Sequence, residues 1–174
     1  GFIDPHTHFD AQLLWDGSAK PALAHGVTTI VPGNCSLSLA PLQEKHRMKL
    51  VGMFNQIEEM PFKAFAEGVE WNWVTFEEYI KRIEQDLAIN VAPLVGHSVL
   101  RLWVMDEAAM QRTATLDETK AMQDLLRQCL DAGAVGLSTS FVDMDENLQP
   151  VPSRYADTNE LDALAQVLGD YGRM

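Results

Sequence analysis

The sequence predicts an α/β fold with a parallel sheet. Three observations predict it. Short, nearly continuous apolar runs recur along the chain, amphipathic helical stripes with capping signals separate them, and Gly26 and Gly133 stand where helix gives way to strand.

The elements follow in order. "GFIDPH" opens the chain as a first strand, and "GVTTIVP" (26–32) is a second. A stretch of residues 36–74 then interrupts the alternation, with a helix expected over 42–59 and an aromatic-rich end, "PFKAFAEGVEWNWV". It is either a wall or lid beside an active site or a helical excursion packed on the side of the sheet. "TFEE" at Thr75–Glu78 has capping-box spacing, and Phe76, Tyr79, Ile80, Ile83 and Leu87 follow as a helical stripe. "INVAPLVG" (89–96) is a third strand. "TLDE" at Thr115–Glu118 starts the next helix, striped by Met122, Leu125, Leu126, Cys129 and Leu130. "AVGLST" (134–139) is the fourth strand, and Asp157 with Glu160 signals a last helix carrying Leu161, Leu164, Ala165 and Leu168.

Strands alternating with helices call for parallel pairing through crossover connections. A full (β/α)8 barrel takes roughly 250 residues. The expected architecture is therefore a partial TIM barrel over residues 1–174, about the first four βα units, with the insertion at 36–74 after strand two. The competing arrangement is a small open doubly wound sheet, but no glycine-rich phosphate loop follows any strand. No initiator Met precedes Gly1, and the chain stops just after a helix, so both ends read as cuts through a larger domain. The first and fourth strands would then be open edges, prone to pairing with a second copy.

Hydrophobic residues make up 47% of the chain and charged residues 22%, as in ordinary soluble globular proteins. The net charge of −12 argues against a nucleic-acid partner, whose phosphates reward clustered Lys and Arg, and fits a role in solubility. No apolar run approaches the ~20 residues of a membrane helix, and Asp4, His6 and His8 interrupt the opening run where a signal peptide would be uniformly apolar. Cys35 and Cys129 are far apart in sequence, so the expected setting is the reducing cytoplasm without disulfides.

The chemistry gathers at strand ends. Side chains alternate along a strand, so His6 and His8 point the same way, at the C-terminal end where parallel α/β barrels carry their sites. Two converging imidazoles can hold a divalent metal; two polar loop residues are the plainer alternative. Cys35, in "IVPGNCS", falls at the same end of strand two, where a thiolate is a strong zinc ligand and a thiol is an ordinary small hydrophobe. His97, in "LVGHSVLR", follows strand three and would touch metal or substrate or tie down a loop. Arg101 would meet a substrate carboxylate in a bidentate pair or form a salt bridge. His25 lies at the opposite end of the sheet and reads as structural, and His46, in a polar stretch, reads as solvated.

Together these residues carry a resemblance. "GFIDPHTHFD" resembles the strand-one signature of the amidohydrolase superfamily, and "ALAHGVTTIVPGNCS" is similar to its D-aminoacylase branch, the N-acyl-D-amino-acid deacylases, as are "LVGHSVLR" and "GAVGLSTS". The resemblance runs over nearly the whole chain. It implies a TIM barrel with a small β-sandwich, and zinc-dependent hydrolysis of the amide bond of small N-acyl-D-amino acids with one or two divalent ions. It implies His6, His8 and Cys35 as metal ligands. The family draws two more histidine ligands from strands five and six and a catalytic aspartate from strand eight. None has a counterpart here, so the catalytic residue is expected outside this chain and the isolated chain is expected to be inactive. Two departures stand out. Ser36 follows the cysteine where the family often has glycine, and the loop "FVDMDENLQPVPSRYAD" is longer and more acidic than the family's tyrosine-containing loop, which bears on substrate preference. The alternatives are a non-catalytic half-barrel with a weak or empty metal site, or a related cyclic amidase. The latter would carry a lysine on strand four, which "AVGLST" lacks.

Overall fold

A computed structural model of the chain describes residues 1–173. Strand β1 (Phe2–Asp4) pairs in parallel with β2 (Val27–Ile30), placing Ile3 opposite Thr29 and Asp4 opposite Ile30. The apolar run at 89–96, expected as one strand, is divided into β3 (Asn90–Val91) and β4 (Leu94–Gly96). Pro93 explains the division, because it has no N–H to give to a ladder. The backbone nevertheless stays on the sheet: Ala92 N donates to Ile30 O at 3.0 Å and Leu94 N to Pro32 O at 2.9 Å. β3 pairs with β2, and β4 pairs in parallel with β5 (Gly136–Ser138). Parallel neighbours thus follow chain order, β1-β2-β3 and then β4-β5.

The helices lie where the capping signals put them. α4 (Phe76–Ile83) and α6 (Leu116–Asp131) each begin with a complete capping box, from Thr75 with Glu78 and from Thr115 with Glu118. α7 (Thr158–Asp170) is capped by the Asp157 side chain, which accepts from Glu160 N. The reciprocal half is absent there because the Glu160 carboxylate is turned into the protein, 1% exposed. α1 (Lys20–Ala24) is a short connection between β1 and β2. Gly26 (φ 84°) and Gly133 (φ 112°) both occupy the left-handed region after their helices, as expected of helix-to-strand glycines.

The insertion contributes α2 (Arg47–Glu58) and α3 (Phe62–Gly68). It is continuous with the core rather than laid over it. Leu37, Leu39, Leu50, Met53 and Phe54 are fully buried. A run of ring contacts then links it to α4: Phe54 to Phe65 (5.6 Å between centroids), Phe65 to Trp71 (6.3 Å), Trp71 to Trp73 (5.3 Å) and Trp73 to Tyr79 (5.5 Å). Trp73 Nε1 donates to Leu39 O at 2.8 Å, which satisfies the indole in this dry setting.

Nearly continuous apolar runs are those of strands buried on both faces, but β1 is not: Phe2 and Ile3 are 71% and 68% exposed, and β1 has a single strand neighbour among the described residues. A further helix, α5 (His97–Met105), starts directly after β4, in a stretch to which the sequence reading assigns no element.

Candidate metal centre

His6 and His8 lie just beyond β1. Thr7, between them, turns toward the second strand: its N donates to Val31 O at 3.2 Å and its Oγ1 to the same oxygen at 3.2 Å. That leaves the two imidazoles together on the other side, with ring centroids 5.3 Å apart.

Cys35 is brought to them by a tightly held turn after β2. Gly33 (φ 88°), Cys35 (φ 52°) and Ser36 (φ 64°) all adopt left-handed backbone. Such a conformation costs about 1–3 kcal/mol for a non-glycine residue and persists where the surroundings enforce it, most often at functional sites. Here the enforcement is visible. Asn34 Nδ2 donates to Val31 O at 2.7 Å and to Thr7 O at 3.3 Å, while Gly33 N donates to the buried Asp10 carboxylate at 3.2 Å. Tyr79 Oη in turn donates to Asp10 O at 3.1 Å. Burial pushes the Asp10 carboxyl up to about 7, with the Gly33 N–H pulling the other way.

Cys35 Sγ ends 3.4 Å from His6 Nε2. One ligand atom each from His6, His8 and Cys35 falls within 4.8 Å of the others, which is the spacing of donors around a single ion. Burial lowers the His8 pKa to about 4, assisted by His6 and opposed by Asp143, so the imidazole is neutral and can donate a lone pair. Burial raises the Cys35 thiol to about 11, with Asp143 and Glu58 adding to the effect. A thiol in that state needs a cation to become a thiolate, and coordination deprotonates it outright. His8 Nδ1 is buried and has no hydrogen-bond partner, an unpaired ring nitrogen at the centre. Two imidazoles and a thiolate form a nitrogen–sulfur donor set of the kind zinc takes. A shallow depression of about 370 Å³ opens over the site, lined by Asp4, His6, His8, Gln12, Glu58 and Met60.

The other sequence candidates go elsewhere. His97 and Arg101 do not join the cluster: both are fully buried on α5 and converge on Glu160 of α7. His97 Nε2 lies 2.7 Å from Glu160 Oε1 and its Nδ1 3.0 Å from Thr139 Oγ1. Arg101 bonds to the other Glu160 oxygen, with its second nitrogen donating to Arg112 O at 2.7 Å. The sequence offered substrate contact or structural tying for these two, and the geometry is that of tying. His46, expected in solvent, is 2% exposed, because the 3-10 turn at Glu44–His46 leads into α2 and folds the ring inward beside Asp106. His25 is exposed, with Nδ1 2.8 Å from Pro21 O. Cys129 is buried on the α6 stripe, and burial pushes its thiol up to about 12.

Two site residues escaped the sequence reading. Glu58, at the end of α2, places Oε1 3.0 Å from His8 Nε2. Nothing in its local pattern marks it, since it arrives from a helix of the insertion. Asp10 had a signal: it stands two residues beyond His8, as His8 stands two beyond His6.

Comparison with known proteins agrees with this geometry. The sequence model of the amidohydrolase family matches residues 1–174. An N-acyl-D-aspartate deacylase of Alcaligenes xylosoxydans xylosoxydans is 41% identical over 80% of this chain and 26% of its own length. A D-aminoacylase from the same organism is 35% identical over 99% of this chain and 32% of its own. Among solved structures, an N-acyl-D-glutamate deacylase from Bordetella bronchiseptica, complexed with zinc and a phosphonate inhibitor that mimics the tetrahedral intermediate, superposes with a TM-score of 0.78. It is 32% identical, over all of this chain and 32% of that one. A D-aminoacylase crystal structure superposes with a TM-score of 0.73 at 35% identity, covering 99% of this chain and 32% of that one. The chain spans about a quarter to a third of the length of the relatives it matches.

Proposed function

The chain belongs to the amidohydrolase family, and from that premise we propose that it is the part of a zinc-dependent N-acyl-D-amino-acid deacylase that supplies the ligands His6, His8 and Cys35. The observation that carries the reading is the convergence of those three donors from the ends of two adjacent parallel strands. The sequential parallel order of the strands supports a partial (β/α)8 barrel made of about the first four units, interrupted by the insertion at 36–74.

In this reading His6, His8 and Cys35 would hold the ion, beside the depression that His6 and His8 line. Bound zinc supplies Lewis-acid polarisation of a carbonyl and acidification of a water. Asp10 and Asn34 keep the Cys35 turn in place, and Glu58 engages His8 from the side. The group that carries protons to and from the reacting atoms is an aspartate outside these residues, as the family resemblance implies. The substrate is a small N-acyl amino acid bound over the depression. The free thiols of Cys35 and Cys129 support a reducing, cytoplasmic setting. The exposed side chains of Phe2 and Ile3 on β1 support association through that edge, with the rest of a barrel or with a second copy.

The test is metal content per chain on protein purified without chelators, with Cys35→Ala alongside, and an assay on N-acetyl-D-amino acids. Near-stoichiometric zinc that falls in the variant is expected, with no substantial turnover by this chain alone. Absence of metal from both proteins leaves the non-catalytic reading. Metal-dependent turnover by the isolated chain overturns the assignment of the proton carrier outside it.

A further inference from the structure

Ser138 is the last residue of β5, and Gly96 of β4 stands opposite it in the ladder. Gly96 has no side chain, and the turn after β2 lies directly over it: a Cβ there would collide with the Ser36 carbonyl oxygen. That gap lets the turn reach past β4 to the Ser138 hydroxyl. Ser36 N donates to Ser138 Oγ at 3.2 Å, and Ser138 Oγ donates to Gly33 O. A hydroxyl has one proton and two lone pairs, so both bonds form at once. The two partners are 102 and 105 residues away in sequence, yet they are the two ends of one short turn, with Cys35 inside it.

We propose that Ser138 is a positioning residue of the metal centre: its hydroxyl closes the Gly33–Ser36 turn from both ends and so holds Cys35 Sγ within reach of His6 and His8. The inference rests on the reading of His6, His8 and Cys35 as the metal donors. Ser138 is not one of those donors and acts on Cys35 through the backbone alone.

The turn needs such a clamp. Cys35 and Ser36 are consecutive non-glycine residues in left-handed backbone, a conformation that persists only where the surroundings enforce it. Cys35 is only partly buried, so the direction of its thiol comes from the backbone rather than from packing around the sulfur. Asp10 and the Asn34 side chain grip the turn before Cys35, from the side of β1 and β2. After Cys35, Ser98 of α5 grips Ser36, with its N donating to Ser36 O at 3.1 Å and its Oγ 2.8 Å from Ser36 Oγ. Ser138 spans the two halves, since it engages Gly33 on one side of the cysteine and Ser36 on the other. Its own hydroxyl is buried, so the bonds are not in competition with solvent. A residue of the fourth predicted strand thereby sets the geometry of a ligand that follows the second.

The experiment compares the chain with its Ser138→Ala and Ser138→Thr variants, and with Ser153→Ala as a matched loss of a buried hydroxyl. Ser153 Oγ donates to Ser140 O at 3.0 Å and does not touch the turn. Zinc titration reads affinity. Cobalt(II) serves as a spectroscopic probe, because its near-ultraviolet thiolate-to-metal band reports whether Cys35 is bound to the ion. Backbone amide spectra report folding, and hydrogen exchange of the Ser36 amide in the unaltered, metal-free chain reads the clamp without any substitution. The expected result is a slowly exchanging Ser36 amide, zinc bound roughly 10-fold more weakly by Ser138→Ala, and a reduced thiolate band per bound cobalt in that variant. Ser138→Thr, which keeps the hydroxyl, restores both, and Ser153→Ala leaves both unchanged even where it lowers stability. Unchanged affinity and band in Ser138→Ala overturn the proposal while leaving the metal centre intact. An equal loss in Ser153→Ala also overturns it, since the effect is then general loosening of the fold. Should Ser138→Ala fail to fold, a Ser36 amide that exchanges as fast as an open one overturns it by itself. A wild-type chain that takes up neither zinc nor cobalt removes the metal reading and this role with it.

Discussion

Cys35 Sγ stands 3.4 Å from His6 Nε2, although 29 residues separate them in sequence. The contact depends on a turn in which Cys35 itself takes left-handed backbone, so the thiol is aimed rather than merely nearby. Removing one of three donors should cost more zinc affinity than the roughly 10–100-fold lost with an outer partner. Cys35→Ala is therefore expected to abolish stoichiometric zinc, and Cys35→Ser to weaken it strongly, because a serine hydroxyl stays protonated at neutral pH and is a far poorer ligand than a thiolate. Metal analysis after dialysis against buffer checks this. Full retention in Cys35→Ala would remove the cysteine from the site.

Asp10 holds that turn from below. Its carboxylate is 2% exposed and accepts the Gly33 N–H, two residues before Cys35. Asp10→Ala leaves a buried donor without a partner, at a cost of about 1–3 kcal/mol. Denaturant melts should show that loss, and zinc affinity should fall with it because the Cys35 turn relaxes. A variant with lowered stability but unchanged zinc binding would mean that the turn holds itself.

The capping boxes at Thr75 and Thr115 were legible because their chemistry is local: a hydroxyl and a carboxylate three residues apart. The His6, His8 and Cys35 set was legible because strand alternation and parallel order put the donors at one sheet end. Glu58 was not, because its approach to His8 depends on how α2 packs across 50 residues of intervening chain. His97 and Arg101 were placed at the right end of the sheet, yet α5 begins immediately after β4 and swings both side chains inward to meet Glu160. Helix onset at a single residue is set by tertiary packing, which periodicity does not report.

That buried trio carries its own prediction. Glu160 is 1% exposed; burial alone would raise its pKa, but hydrogen bonds from His97 and Arg101 hold it below the ordinary value. Glu160→Ala strands the buried Arg101 cation, and breaking a buried pair in this way costs about 3–5 kcal/mol. Equilibrium unfolding of Glu160→Ala should show a loss of this size or no folded state at all, whereas Glu160→Gln, which still accepts from Arg101, should lose less. Near-wild-type stability in Glu160→Ala would mean that the trio contributes little.

A pH dependence follows from Glu118. Two hydrogen bonds from Arg112, together with those from the Thr115 cap, hold its carboxyl down at about 2 against an ordinary 4.5. The folded pKa is depressed, so the stabilisation is fully present above about 4.5 and is lost as pH falls toward about 2. The stability difference between wild type and Glu118→Gln should be constant above the upper value and close within that window. Arg112 is half exposed, so added salt should shrink part of the difference. A gap that persists unchanged at the acid end would assign the effect to the helix cap geometry alone.

Gly33 offers the most direct test of how the two strand ends are locked together. Its φ of 88° is open to glycine and strained for any other residue, and a Cβ there would meet the backbone oxygen of Leu94 at 2.3 Å. A backbone atom in a strand cannot swing aside as a side-chain tip can. The penalty of Gly33→Ala should therefore exceed the roughly 1–2 kcal/mol of a left-handed alanine by itself. Because Gly33 also donates to Asp10 and accepts from Ser138 Oγ, the displaced turn should carry Cys35 away from His6. The expected outcome is a lowered unfolding midpoint together with weakened zinc binding. Full zinc affinity in a destabilised variant would show that Cys35 reaches the histidines by a route independent of this close approach.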